Sequence, residues 1–439
     1  CILFLCGPMP PSLLDGKGQV SDHGIFMNCV GEGCAYGPNG GRIKPMDTLS
    51  LEILNKLSGQ TSVMGMSHNQ VILGMASKPV LWQKIAMIKV KHPKIKSILG
   101  IDESKNYIAF NDVLDPMGAY KLGNVVNEAA QKRQAERDEF DKEVIKLDEK
   151  LNIAYSVYSG EFMRIFPLEG DPNNTWYSPA NALKSFPPQD SQWIMGILQQ
   201  NYVGINDGIA KDNWKVANEA IGKIIGFQKA KGSAVYPSEI RIEAELFYNK
   251  AQIFERLVPV YLIAGLVLLG LIFTRLFKPS LNLDKAHKAV LWILVLGFAA
   301  HTLNLALRWY ISGHAPWSDG YESMIYIAWT IILAGILFAR QSEFAVASTG
   351  ILSGIALFVA HLNWLDPQIT NLVPVLKSYW LSIHVSIITS SYGFLGLSAL
   401  LGIISLVLFI MIGRVKEEET KRQIVISIRE ATRISEMSM

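Results

Sequence analysis

A chain of 439 residues has room for two or three domains, and its composition divides sharply: 50% of residues are hydrophobic and only 18% are charged. The net charge of +3 is too small to argue for a nucleic-acid partner, no DNA- or RNA-binding motif is visible, and the basic residues sit beside apolar runs. Mixed polar sequence fills the first 256 residues, whereas Leu257 to Gly413 is dominated by uncharged apolar runs. That pattern predicts a mainly α, polytopic membrane protein with a large, mostly helical extracytoplasmic domain over 7–256, a membrane domain over 257–413 and a cytoplasmic segment over 414–439.

The chain opens on Cys1-Ile-Leu-Phe-Leu-Cys6, read as the end of an upstream transmembrane helix. An acylated lipoprotein cysteine is the alternative, but the residues that follow are not a polar tether. Residues 7–45 are rich in Gly, Pro and Asn and predict a turn-laden lead-in. Within it, Cys29 and Cys34 are spaced for a small disulfide loop eased by Gly31 and Gly33. The gap matches neither a thioredoxin-like motif nor a c-type haem attachment site, so a loop staple or two free thiols outweigh a redox role.

Further along, Asp47-Thr-Leu-Ser predicts the cap of a short helix ending near Gly59, and short strands are expected around 85–90 and 98–110. Opposite charges at helical spacing predict one long helix over 121–151. Helices follow at 191–201, 209–231 and 238–256, the last running directly into the first membrane span.

A spanning helix needs about 20 mostly apolar residues, because no backbone polar group goes unpaired in hydrocarbon. Five segments qualify: 257–274, 289–307, 323–339, 344–365 and 378–413. The last is longer than a bilayer requires, so its front is expected at or above the interface, with the membrane helix starting near His384. Loops one, three and five carry Arg275, Lys278, Lys285 and Lys288, then Arg340, then Arg414, Lys416, Lys421 and Arg422, while the alternate loops carry only Arg308 and Lys377. The positive-inside rule then places the odd loops in the cytoplasm and the first 250 residues outside.

Four histidines fall at the expected outer side of the spans: His301, His314, His361 and His384. Ionisable residues at membrane depth are costly and each is a functional candidate. Aromatic residues surround them, among them Trp309, Trp317, Tyr321, Trp364, Tyr379 and Trp380. One reading is an interfacial aromatic belt with histidines bonded between helices. The other is a haem site, since haem needs aromatic walls and an imidazole for its iron. Metal transport fits less well, because the expected spans contain no carboxylates.

The stretch Trp309-Tyr-Ile-Ser-Gly-His-Ala-Pro-Trp-Ser-Asp-Gly-Tyr-Glu-Ser-Met-Ile-Tyr-Ile-Ala-Trp329 resembles cytochrome c biogenesis proteins of the CcsA/ResC type, and so does Leu372-Val-Pro-Val-Leu-Lys-Ser-Tyr-Trp-Leu-Ser-Ile-His-Val385. Gly41-Arg-Ile-Lys-Pro-Met-Asp-Thr-Leu49 and Val80-Leu-Trp-Gln-Lys-Ile85 resemble the outer domain of the fused CcsB–CcsA synthases of System II. The resemblance implies a protein of the bacterial inner membrane that carries haem b, as substrate, and presents it outside for attachment to the Cys-x-x-Cys-His motif of apocytochrome c. It implies His384 as an axial ligand of the haem iron, with His314, Trp317, Tyr379 and Trp380 around the haem, and a CcsB/ResB-type region or subunit as partner beside the lipid bilayer. The family's tryptophan-rich signature is absent, which is read as truncation at both ends and leaves the synthase activity open. Rival readings are a membrane transporter or permease subunit, which predicts charged or broken helices at mid-membrane, and an assembly partner without a cofactor.

Overall fold

Arg137 and Asp138 end one helix and start the next where the charge pattern predicts a single helix. The Arg137 guanidinium donates to the carbonyls of Ala130 and Lys132, each at 3.2 Å, taking up acceptors that a helix C-terminus leaves unpaired. Asp138 then accepts from the Asp141 amide at 2.7 Å while the Asp141 carboxylate reaches back to the Asp138 amide at 3.1 Å, a reciprocal N-cap. The helix expected over 121–151 is therefore two, Gly123–Gln131 and Glu139–Ser159, joined by a short 3-10 turn at Gln134–Glu136.

The computed structural model describes residues 26–29, 42–278, 280–362, 365–370, 372 and 378–439. The chain divides into two compact units, Cys1–Ile242 and Glu243–Met439. In the first, helices α1 (Met46–Ser58), α2 (His68–Ser77), α3 (Pro79–Trp82), α4 (Pro93–Leu99), α5 (Gly123–Gln131), α6 (Glu139–Ser159), α7 (Pro179–Ser185), α8 (Pro188–Lys211) and α9 (Lys215–Lys231) are interleaved with four two-stranded antiparallel ribbons. The ribbons are β1 (Phe26–Cys29) with β2 (Arg42–Pro45), β3 (Ser62–Val63) with β4 (Met66–Ser67), β5 (Ile88–Lys89) with β6 (Tyr107–Ile108), and β7 (Phe166–Pro167) with β8 (Trp176–Tyr177).

The core forms where helical periods align. Val144, Leu147, Leu151, Ala154 and Val157 of α6 recur at helical spacing and pack on Leu54 and Leu57 of α1 and Met75 of α2. Trp82, 1% exposed, packs against Gly74, where a Cβ would meet its ring at 2.5 Å. Asp47 does not cap α1, whose N-cap is Pro45. It sits in the first turn and takes His68 Nε2 at 2.7 Å and Asn69 Nδ2 at 2.9 Å, tying α1 to α2.

Other boundaries also move. The lead-in expected to be irregular contributes β1 and β2, and Cys34 lies outside the described residues, so the Cys29–Cys34 pairing does too. Pro93 starts α4 and Gly100, left-handed at φ 72°, ends it, so the strand expected over 98–110 shrinks to Tyr107–Ile108. A single α8 runs through Gly204 and Gly208, where a chain break was expected. Those glycines let α8 approach its neighbours, since a Cβ on Gly204 would lie 2.4 Å from the Ala217 amide nitrogen; the break falls at Asp212 instead, at φ 55°.

Helix α10 (Glu239–Ala251) does not run straight into the first span: Gln252, at φ 43° and ψ 45°, separates it from α11. Five described helices are long and apolar enough to cross a membrane: α11 (Ile253–Phe277), α12 (Asp284–Ser312), α13 (Gly320–Phe338), α14 (Glu343–Ala360) and α15 (Tyr379–Ile412). The protein is a polytopic α-helical membrane protein. Helix α14 is the most enclosed and lies between α11 and α13, with α12 against α11 and α15 against α13. The 34 residues of α15 form one helix, including the front expected at the interface. At about 1.5 Å per residue it outreaches a hydrocarbon core of about 30 Å. An amphipathic helix, α16 (Glu418–Ser438), packs along α15, with Ser398 Oγ 2.7 Å from Ser435 Oγ.

Candidate functional site

At one end of the membrane bundle, α12 and α13 are joined by residues 313–319. Helix α12 stops at Gly313, left-handed at φ 78°, whose amide donates to the Trp309 carbonyl at 2.8 Å. Helix α13 starts from Asp319, whose carboxylate accepts the Glu322 amide at 2.8 Å. Burial, with the Glu322 carboxylate behind it, pushes the Asp319 carboxyl above its usual range.

These caps put Arg308 and Glu322 inside helices rather than in a loop, which corrects both the reading of Arg308 as a loop cation and the expectation of carboxylate-free spans. The helices continue past the predicted span ends because Gly313 and Asp319, not the charged residues, set the termini. Arg308 Nε donates to Glu322 Oε1 at 2.9 Å, with neither side chain exposed. The rest of the guanidinium donates to Tyr248 Oη at 3.1 Å and to the carbonyls of Pro367 and Gln368, each at 3.0 Å. Its carbon lies 5.1 Å from the centre of the Tyr321 ring. Glu322 Oε2 accepts from the Ser318 amide at 2.9 Å and its hydroxyl at 2.7 Å, so both carboxylate oxygens are engaged. A hydropathy reading assigns both residues to a loop, and the cost of buried charge marks them as candidates only once the helices are known to extend over them.

The four histidines differ in what their ring nitrogens meet. His301 is wholly buried between helices, Nε2 at 3.1 Å from the Ile325 carbonyl and Nδ1 at 3.4 Å from Tyr261 Oη. His361 places Nδ1 at 2.7 Å from the Leu357 carbonyl and Nε2 at 3.4 Å from Tyr321 Oη. His314 turns Nε2 to the Thr370 carbonyl at 2.9 Å and Nδ1 to the Ala315 carbonyl at 3.2 Å. His384, in the second turn of α15, is exposed and has no hydrogen-bond partner among the described residues.

On α15 the exposed positions Trp380, His384, Ile387 and Ile388 fall on one face, while Thr389, Gly393 and Leu397 form the buried one. Tyr379 and Trp380 are 74% and 77% exposed and meet edge to face, with ring centres 5.9 Å apart. The 313–319 loop docks one turn away: Trp317 Nε1 donates to the Ser382 carbonyl at 3.2 Å. Ala315, Trp317, Ser318, Leu372, Ser382 and Val385 line a small open pocket. From Trp317 an aromatic ladder continues through Tyr326 at 5.0 Å to Trp329 at 5.8 Å. The structure thus brings Trp317 to the helix that carries His384, and leaves His301 and His361 in separate contacts. Trp364 lies outside the described residues. No three His, Cys, Asp or Glu side chains gather to hold a metal ion among the described residues.

Residues 317–439 match the family model of cytochrome C assembly proteins. Protein NrfI of Wolinella succinogenes is 41% identical over 402 residues, which covers 91% of this chain and 43% of that protein. Cytochrome c biogenesis protein CcsA of Prochlorococcus marinus (strain AS9601) is 34% identical over 161 residues, covering 36% of this chain and 49% of that protein. The CcsA protein of Chlorella vulgaris is 38% identical over 111 residues, 24% of this chain and 35% of that protein. The chain spans less than half the length of each of these relatives. Residues 317–439, which include the docked loop residue Trp317 and all of α15, are the part of the chain that carries the cytochrome C assembly protein family match.

Proposed function

We propose that this chain acts in cytochrome c biogenesis, binding haem b as substrate through His384 and presenting it to apocytochrome c. One observation carries the assignment. Among His301, His314, His361 and His384, only the last has ring nitrogens without a hydrogen-bonding partner among the described residues. An imidazole that ligates iron needs a free lone pair, and an exposed one beside Trp380 on an apolar helix face can meet a flat macrocycle edge-on.

The pocket beside Trp317 is an open crevice far smaller than the roughly 300–1,000 Å³ of ordinary small-molecule sites, so it holds at most an edge of the haem. The face of α15 that bears His384 is the larger apolar surface. In this reading the chain orients the haem vinyl groups against the client's thiols. Thioether formation places the thiol sulfur on one vinyl carbon and its hydrogen on the other, so the bond-forming step itself is redox-neutral.

The proposed setting is a bacterial inner membrane, with the end carrying loop 313–319 facing outward. Loop charge supports that orientation more strongly once Arg308 is counted as a buried helix residue, because the outward loops then keep only Lys377. The unit ending at Ile242 would supply the CcsB/ResB-type region.

Pyridine haemochrome measurement on the purified membrane protein tests the ligand. His384→Ala should lose most of the bound haem, and unchanged haem content in that variant would remove His384 from the iron.

A further inference from the structure

We propose that Arg308 is a positioning residue for the haem site, an inference that rests on the reading of His384 as the iron ligand. The contacts close a circuit. Arg308 binds the Gln368 carbonyl; two residues on, the Thr370 carbonyl meets His314 Nε2. His314 opens the loop whose Ser318 donates twice to Glu322, and Glu322 returns to Arg308. Inside that circuit sits Trp317, whose indole N–H reaches the Ser382 carbonyl two residues before His384. Arg308 thereby fixes where the loop meets α15.

The energetics favour positioning over simple stabilisation. Burying two charges costs several kcal/mol per ion before their attraction offsets it, and such pairs are commonly replaced by apolar residues without loss of stability. Arg308 and Glu322 are both fully buried, in helices where an apolar pair would fill the same space. What an apolar pair cannot do is grip two segments by their backbone. The guanidinium donates to carbonyls at 367 and 368 and the carboxylate accepts from the amide at 318, so the pair holds main chain on both sides of the site. A lysine offers one charged head in place of the rigid fork, and it cannot reach Glu322 and both carbonyls together.

The experiment uses the membrane-embedded protein and compares Arg308→Met/Glu322→Leu, Arg308→Lys, Trp317→Phe, the combination of the first and third, and His384→Ala. Thermal unfolding, haem affinity and the Soret band are read for each. The double variant should melt near the parent temperature but bind haem about tenfold more weakly. Arg308→Lys should fall between the two. Because Arg308 acts through Trp317, adding Trp317→Phe to the double variant should weaken haem binding no further.

Two results overturn the proposal: parental haem affinity in the double variant and in Arg308→Lys, or effects of the double variant and Trp317→Phe that simply add. If the double variant does not fold, Arg308→Lys combined with Trp317→Phe supplies the same additivity test. Parental haem binding in His384→Ala would instead overturn the ligand reading, and with it this inference.

Discussion

Gly350 of α14 backs onto Gly265 of α11 so closely that a Cβ on Gly350 would meet the Gly265 Cα at 3.0 Å. On the other side, a Cβ on Gly265 would lie 2.6 Å from the Ile351 amide nitrogen, which is backbone and cannot swing away. In lipid there is little hydrophobic drive between helices, so close packing of small residues carries the association.

Gly265→Val should therefore separate α11 from α14 and destabilise the protein by about 1–3 kcal/mol, the usual cost of overpacking. Gly270, exposed on the same helix with nothing near its missing Cβ, is the control. Gly270→Ala should be neutral or slightly stabilising, because alanine is the better helix former by about 1 kcal/mol. Thermal unfolding in detergent distinguishes the two positions, and equal melting temperatures would show that the contact is unimportant.

How much of this was legible in the sequence depends on which physics set each feature. The five spans were readable because a bilayer demands apolar length, a property of composition. Helix ends are set by single caps instead. Arg137 and Asp138 looked like two more charges on a long helix, and they are its break. Gly204 and Gly208 looked like a break and are a packing face. The Arg308–Glu322 pair was hidden for the same reason, since Gly313 and Asp319 extend two helices over residues that a hydropathy reading assigns to a loop. His384 was singled out by family resemblance. The residues alone did not separate it from His301, His314 and His361, because the ring-nitrogen partners in which the four differ come from tertiary packing.

His301 tests that separation. Both of its ring nitrogens are occupied inside the bundle, and its ring packs edge to face on Phe254 at 5.3 Å. His301→Leu should lower stability by roughly 0.6–1.7 kcal/mol, the scale of hydrogen bonds between membrane helices, and leave haem content and the Soret band as they are. A spectral change would bring His301 into the haem site.

Acid should loosen the unit ending at Ile242 through specific carboxylates. The Lys132 ammonium, 2.8 Å from both Asp141 oxygens, together with the Asp138 amide, holds the Asp141 carboxyl below its usual range. Hydrogen bonds from Thr175 and Asn173 do the same for Asp171. A folded-state value below the unfolded one gives stability that is present above the unfolded value, about 3.9, and is lost as pH falls through the lower folded value. Hydrogen exchange of α6 should therefore accelerate as pH drops through that window, after correction for intrinsic rates. Asp141→Asn should flatten this acid limb, and an unchanged limb would assign the acid sensitivity elsewhere.

His314 and the proposed ligand His384 lie at the same end of the bundle and give different spectral predictions. With Nε2 facing the Thr370 carbonyl and Nδ1 facing the Ala315 carbonyl, neither ring nitrogen is open to a metal. His314→Ala should then remove a brace between loop 313–319 and segment 365–370 without removing an axial ligand. Haem would bind more weakly, since Trp317 rides on that loop, but the haem that remains should keep the parental Soret position and reduced α band. His384→Ala should do the opposite, changing the band positions of whatever haem is retained. If His314→Ala changes the bands and His384→Ala does not, the two histidines exchange roles, and the loop rather than α15 carries the iron.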